Sequence, residues 1–139
     1  PPSASPSTQS GSAMPDRRRK DLGDASEARA RRYLEARDMT FVAAQWRRPG
    51  GELDLVMLDA DDSLVIVEVK ARRGERAGRA DDAISPTKAT RLLATAEWFV
   101  AEHPEHHHRI WRIDLVAITI DPLTGHDAIR HYVNVVSAG

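Results

Sequence analysis

A chain of 139 residues with 41% hydrophobic and 29% charged side chains is long enough for one globular domain with a real core. It contains no cysteine, which excludes a disulfide framework and thiolate metal sites and fits a reducing compartment. The formal net charge of −1 hides an asymmetry, because residues 1–79 carry 15 Lys and Arg against 13 Asp and Glu while residues 80–139 carry 5 against 8.

The opening stretch over 1–21 is Pro/Ser-rich and then charged, so it is expected to be a disordered tail, with Met14 a candidate natural start. Residues 22–139 are expected to form the folded domain. A first helix is predicted over about Leu22 to Arg37, followed by a short strand at "TFVAAQW". "GGELDLVMLDADDSLVIVEVK" reads as strand, acidic turn and strand, a hairpin bounded by Gly50 and Gly51. A Gly/Arg-rich loop follows. Ser85 is an N-cap candidate with Pro86 at the first helical position, and that helix runs to about His103, just before Pro104. Ala89, Leu92, Leu93, Ala96, Phe99 and Val100 fall on one stripe, which should pack on a sheet. "IWRIDLVAITI" and "AIRHYVNVV" are the last strands. The order α, β, β, β, α, β, β implies an α/β fold, a mixed β-sheet flanked by helices. No apolar run reaches the roughly 18 residues needed to span a bilayer, and no signal-peptide core is present. Cytoplasmic residence and no membrane partner are therefore expected.

The run "LVIVEVK" at 64–70 ends a core strand with an acid and a base two residues apart. Side chains alternate along a strand, so Leu64, Ile66, Glu68 and Lys70 share one face. In the preceding strand Glu52, Asp54, Val56 and Leu58 likewise share a face. If residues 60–62 form the hairpin loop, Asp59 faces Ser63, Asp54 faces Glu68 and Glu52 faces Lys70. Directly opposed residues have Cβ atoms about 5 Å apart, so two carboxylates could hold one ion. Without a cation the juxtaposition is repulsive, and hard oxygen ligands favour Mg²⁺ or Mn²⁺. Arginine outnumbers lysine 17 to 3, so lysine at position 70 is a specific choice. A compact ammonium beside a phosphate could stabilise developing negative charge. A plain Glu52–Lys70 cross-strand ion pair is the alternative on spacing alone.

The basic groups cluster at 17–20, Arg31 and Arg32, Arg47 and Arg48, and along "ARRGERAGR" at 71–79, a distribution that suits a polyanion. "HPEHHH" at 103–108 could chelate zinc or nickel, but without a second cluster at ligand spacing no physiological site is expected there. Trp46, Trp98 and Trp111 are expected in the core or in groove walls.

At these residues the sequence resembles a family. "GELD", followed after 13 intervening residues by "EVK", resembles the PD-(D/E)xK nucleases, which share the restriction-endonuclease-like fold. More closely, "LGDASEARARRYLEARDMTFVAAQWRRPGGELDLV", "LVIVEVKARR", "ISPTKATRL" and "RIDLVAI" resemble the bacterial YraN-like family of proposed endonucleases. That family is itself similar to archaeal Holliday-junction resolvases. The resemblance implies Asp54 and Glu68 as ligands of Mg²⁺ or Mn²⁺, Lys70 as the catalytic lysine, and Glu27 as an acid of the first helix that supports the site. Glu52 matches the GE pair, with a ligand, supporting or structural role. Lys88 matches a helix-two lysine near the site, and Asp114 matches a further position for which a structural role is favoured. Ser26, Gln45 and Ala71 stand where the family usually has Gly, Asn and Thr. The implied activity is metal-dependent hydrolysis of DNA, branched or structured, with Arg47, Arg48, Arg72, Arg73 and Lys88 contacting the nucleic acid. A homodimer is compatible with it. The alternative is a non-catalytic nucleic-acid-binding or scaffold domain with the same fold.

Overall fold

The computed structural model describes residues 14–74 and 84–136, with side chains from Gly23 onward. Of the expected tail over 1–21, residues 1–13 lie outside the described residues, as does most of the Gly/Arg-rich loop, 75–83, whereas residues 14–21 belong to the first helix and not to a tail. Helix α1 spans Met14–Glu35, β1 Thr40–Arg48, β2 Gly51–Leu58, β3 Leu64–Arg73, α2 Pro86–Glu102, β4 Trp111–Ile120 and β5 Asp127–Tyr132, with a 3₁₀ turn at Pro104–His106. The first helix thus begins eight residues ahead of the expected Leu22, in a stretch where Pro15 occupies the first turn and needs no N–H partner.

The strands lie in the order β1-β2-β3-β4-β5. Pairing is antiparallel except between β3 and β4, which run parallel from Leu64↔Trp111 to Arg73↔Ile120. This is the mixed sheet flanked by helices that the element order implied. Among the described residues, no helix is long and apolar enough to cross a membrane.

Each helix covers one face of the sheet. Ala30 and Leu34 of α1 pack with Leu55, Met57, Val65, Val67, Val116 and Ile118. Leu92, Ala96 and Phe99 of α2 pack with Leu53, Val56, Leu64, Ile66 and Ile113. The α2 stripe is the predicted one, since Ala89, Leu93 and Val100 also lean on that core. The helix starts as its sequence specifies: the Ser85 side chain accepts the Lys88 N–H at 3.1 Å, and Pro86 follows the cap.

Two turns set the strand registers. Pro49 and Gly50, the latter at φ +85°, have the residue pattern of a type II turn and leave Arg48 paired with Gly51. In the second hairpin the Asp59 N–H donates to the Ser63 carbonyl at 2.9 Å, and Asp62 takes φ +77°, as a three-residue loop requires. Asp59 and Ser63 face each other as expected.

Helix α2 and β2 meet closely at Gly51. A methyl group on Gly51 would collide with Thr95 Oγ1 and sit 3.0 Å from Thr95 Cγ2. Thr95 is buried and its hydroxyl donates to the Arg91 carbonyl at 2.7 Å, so it cannot swing away freely. Gly51→Ala should therefore cost about 1–3 kcal/mol in urea denaturation. The double variant with Thr95→Ala should recover most of that loss; equal losses in both backgrounds would mean the contact is not what limits position 51.

Candidate functional site

The β2–β3 ladder follows the expected register from Leu58↔Leu64 to Leu55↔Val67 and stops there. One residue further, the Asp54 carboxylate accepts the Val69 N–H at 2.9 Å, in a place where a ladder would use a backbone carbonyl. The strand also changes phase at this point. Leu53 packs on the α2 side and Leu55 on the α1 side, although residues two apart in a regular strand share a face. On β1 the matching irregularity is Gln45, at φ +51°; it and Asp54 lie between the pairs Ala44↔Leu55 and Trp46↔Leu53.

Because the ladder ends early, the expected facing of Glu52 and Lys70 does not form. Glu52 pairs with Arg47 across β1, with Arg47 Nη2 3.2 Å from Glu52 Oε2. Asp54 and Glu68 nevertheless come together. Both line a cleft of about 210 Å³ with Glu52, Lys88 and Arg91, and an adjoining one of about 410 Å³ with Glu27, Lys70 and Lys88. A roomier cavity of about 820 Å³ lies by Arg73, Asp121 and Leu123, away from the carboxylate pair. Volume alone does not mark chemistry, and the smaller clefts hold the perturbed groups.

Glu68 is only 4% exposed, and the Lys88 ammonium forms an ion pair with its Oε2. Burial and the neighbouring Glu68 charge push the Asp54 carboxyl up to about 7, against the Val69 N–H, which lowers it. Burial also raises Glu27, with the Gln45 amide opposing and Glu52 and Asp24 adding to the rise. Lys70 is displaced below the usual lysine range by burial, then by the positive charges of Lys88 and Arg72, while Glu68 and Asp54 hold it up. Two carboxylates are therefore kept together at a cost, with two lysines around them. Among the described residues, no three His, Cys, Asp or Glu side chains converge closely enough to hold a metal alone.

The arginines divide by partner. Arg48 is held by Glu102 at 2.6 Å and lies 4.2 Å over the Trp46 ring. Trp46 packs against the α2 core and meets Phe99 and Trp98 edge-on. Arg72 is half-buried and Arg73 exposed at the end of β3. Arg91 was not singled out from the sequence, yet it lines the carboxylate cleft; its position one turn after Lys88 was the available signal. Asp114 lies apart, fully buried between Arg112, His131 and the Asn134 N–H. In the histidine run, His103 donates to the Phe99 carbonyl and stacks on its ring, and His106 accepts from Arg109 Nε. These rings close the end of α2.

Residues 26–118 match the family described as Uncharacterised protein family UPF0102. The chain belongs to the UPF0102 family. The Roseiflexus castenholzii UPF0102 protein is 40% identical over 114 residues, covering 82% of this chain and 91% of that protein. A UPF0102 protein of Ectopseudomonas mendocina is 39% identical over 111 residues, 80% of this chain and 92% of the relative. That of Ralstonia pickettii is 46% identical over 99 residues, 69% of this chain and 78% of its own. UPF0102 is the YraN-like family that the sequence motifs resemble, and the matched span runs from the residue before Glu27 to β4, taking in Asp54, Glu68, Lys70 and Lys88.

Proposed function

We propose that the protein is a divalent-cation-dependent endonuclease acting on DNA, with branched or structured DNA as the inferred substrate class. The observation that carries this is the Asp54–Glu68 pair at the break in the β2–β3 ladder, with Lys70 in the same cleft. The donor set fits Mg²⁺ or Mn²⁺, since both donors are carboxylates and a cation would offset the burial and the Glu68 repulsion that together lift Asp54. Two protein ligands suit an ion that retains several waters and takes phosphate oxygens. Asp54 and Glu68 would hold the ion, which when bound supplies Lewis-acid activation of water and phosphate.

The remaining work belongs to the chain's own side chains. Lys70 donates to the phosphoryl group and stabilises the charge that develops on it. Lys88, ion-paired with Glu68, would be available to a phosphate wherever that carboxylate held the ion instead. Arg72 and Arg73 hold the flanking backbone, a sequence-independent and salt-sensitive contribution. Such a substrate is consistent with a cytoplasmic location.

One observation favours a second reading. The Lys88 ion pair already neutralises Glu68, so the cleft is partly satisfied with no metal, as a non-catalytic DNA-binding domain would be. Incubation with linear, flap, single-stranded and four-way-junction DNA separates the two. The nuclease reading expects cleavage with Mg²⁺ or Mn²⁺ and none with EDTA, and Lys70→Ala should keep fold and binding while losing about 100-fold or more in rate. EDTA-resistant binding with no nick in any substrate would establish the non-catalytic reading instead.

A further inference from the structure

We infer that Gln45 is a positioning residue: its left-handed backbone, set in the β1–β2 ladder beside Asp54, aims its amide so that Glu27 is held at the mouth of the carboxylate cleft. The inference rests on the metal-site reading and assigns a role to a residue that touches neither proposed ligand directly.

The backbone is the first observation. Gln45 has φ +51°, a region that glycine and asparagine enter readily and glutamine seldom does. Here it lies inside a strand, not in a loop, with paired residues on both sides. Ala43 and Trp46 both pack on the α2 face, as do their partners Val56 and Leu53, although three residues apart along a regular strand means opposite faces. The left-handed residue resets the phase of β1 where Asp54 resets that of β2. Glycine would satisfy this backbone requirement with less strain.

What glycine lacks is the amide. Gln45 Nε2 donates to Glu27 Oε1 at 2.8 Å and to Asp24 Oδ1 at 2.7 Å, so both amide protons are committed to carboxylates on one face of α1. Glu27 lines the cleft that holds Asp54, Glu68 and Lys70. Two acids three residues apart on a helix would otherwise repel and turn to solvent. The amide holds them, and the Glu27 charge then adds to the attraction of the cleft for a cation. Partners that orient the surroundings of a metal typically change its affinity 10–100-fold.

Gln45→Gly separates the two roles of the position, because it keeps the permitted backbone and deletes only the amide. The variant should stay folded, the relieved backbone strain offsetting much of the loss of the two amide bonds, yet bind Mn²⁺ about tenfold more weakly by titration calorimetry. If Gln45 acts through Glu27, the same change should have no further effect in a Glu27→Ala background. Unchanged Mn²⁺ affinity in a folded Gln45→Gly protein would overturn the inference and leave the metal site standing. Absence of Mn²⁺ binding in wild type would overturn both.

Discussion

Asp54→Asn is expected to abolish metal-dependent cleavage and, in the same protein, to raise stability above pH 7. The carboxyl is pushed from its ordinary 3.8 up to about 7 in the folded protein. Between those values the folded state keeps a proton that the unfolded chain has released. This contribution to stability is complete below the unfolded value and is lost as pH rises through about 7. Above that pH, wild type carries an ionised carboxylate beside buried Glu68, whereas asparagine carries none. Its amide oxygen can still accept the Val69 N–H, so the backbone is not orphaned. The variant should be more stable at pH 8 by on the order of 2 kcal/mol, with little difference at pH 4. Chemical denaturation at the two pH values measures this. A variant less stable at pH 8 would show that Asp54 is held as a structural partner and not as a ligand.

The second large effect lies away from the cleft. Asp114→Ala should destabilise the protein by about 3–5 kcal/mol, the cost of breaking a buried pair from one side. Asp114 is fully buried and accepts from Arg112 Nε at 2.9 Å, His131 Nε2 at 2.7 Å and the Asn134 N–H at 2.9 Å. Arg112 reaches on to Asp59 Oδ2 at 2.8 Å. One carboxylate thereby ties the loop end of the β2–β3 hairpin to β4 and to the segment after β5. Burial tends to raise the Asp114 carboxyl, but the bonds from His131, Arg112 and Asn134 outweigh it and hold it below 3.8. Its contribution is therefore present above that value and lost as pH falls through the lower folded one. A loss under 1 kcal/mol for Asp114→Ala in urea would contradict this account, given the 5–15 kcal/mol typical of a whole domain.

Local chemistry made much of the fold legible in advance. The hairpin register followed from the alternation in "LVIVEVK" and the acidic loop, because a slip of one residue would send every side chain to the wrong face. The start of α2 followed from Ser85 and Pro86, and its buried face from spacing alone. The site was legible as a set of residues but not as a geometry. Continuing the register placed Glu52 against Lys70, whereas the Asp54 side chain ends the ladder and Glu52 turns to Arg47. Nothing in the propensity of glutamine announces a left-handed residue at 45; it stands between Trp46, which packs on one helix, and the acids of the other helix that its amide meets. The ion pair of Arg48 was not legible because its partner, Glu102, is 54 residues away. Asp114 could be suspected of a structural role, but His131 and Asn134 reach it only through the β4–β5 pairing.

The central claim is that Asp54 and Glu68 form a binding site for a divalent cation. Titration calorimetry of Mn²⁺ into EDTA-stripped protein tests it most directly, with wild type, Asp54→Asn and Lys70→Ala compared at pH 8. The account predicts saturable binding to wild type and Lys70→Ala, and at least tenfold weaker binding to Asp54→Asn. Equal Mn²⁺ affinity in wild type and Asp54→Asn would contradict it.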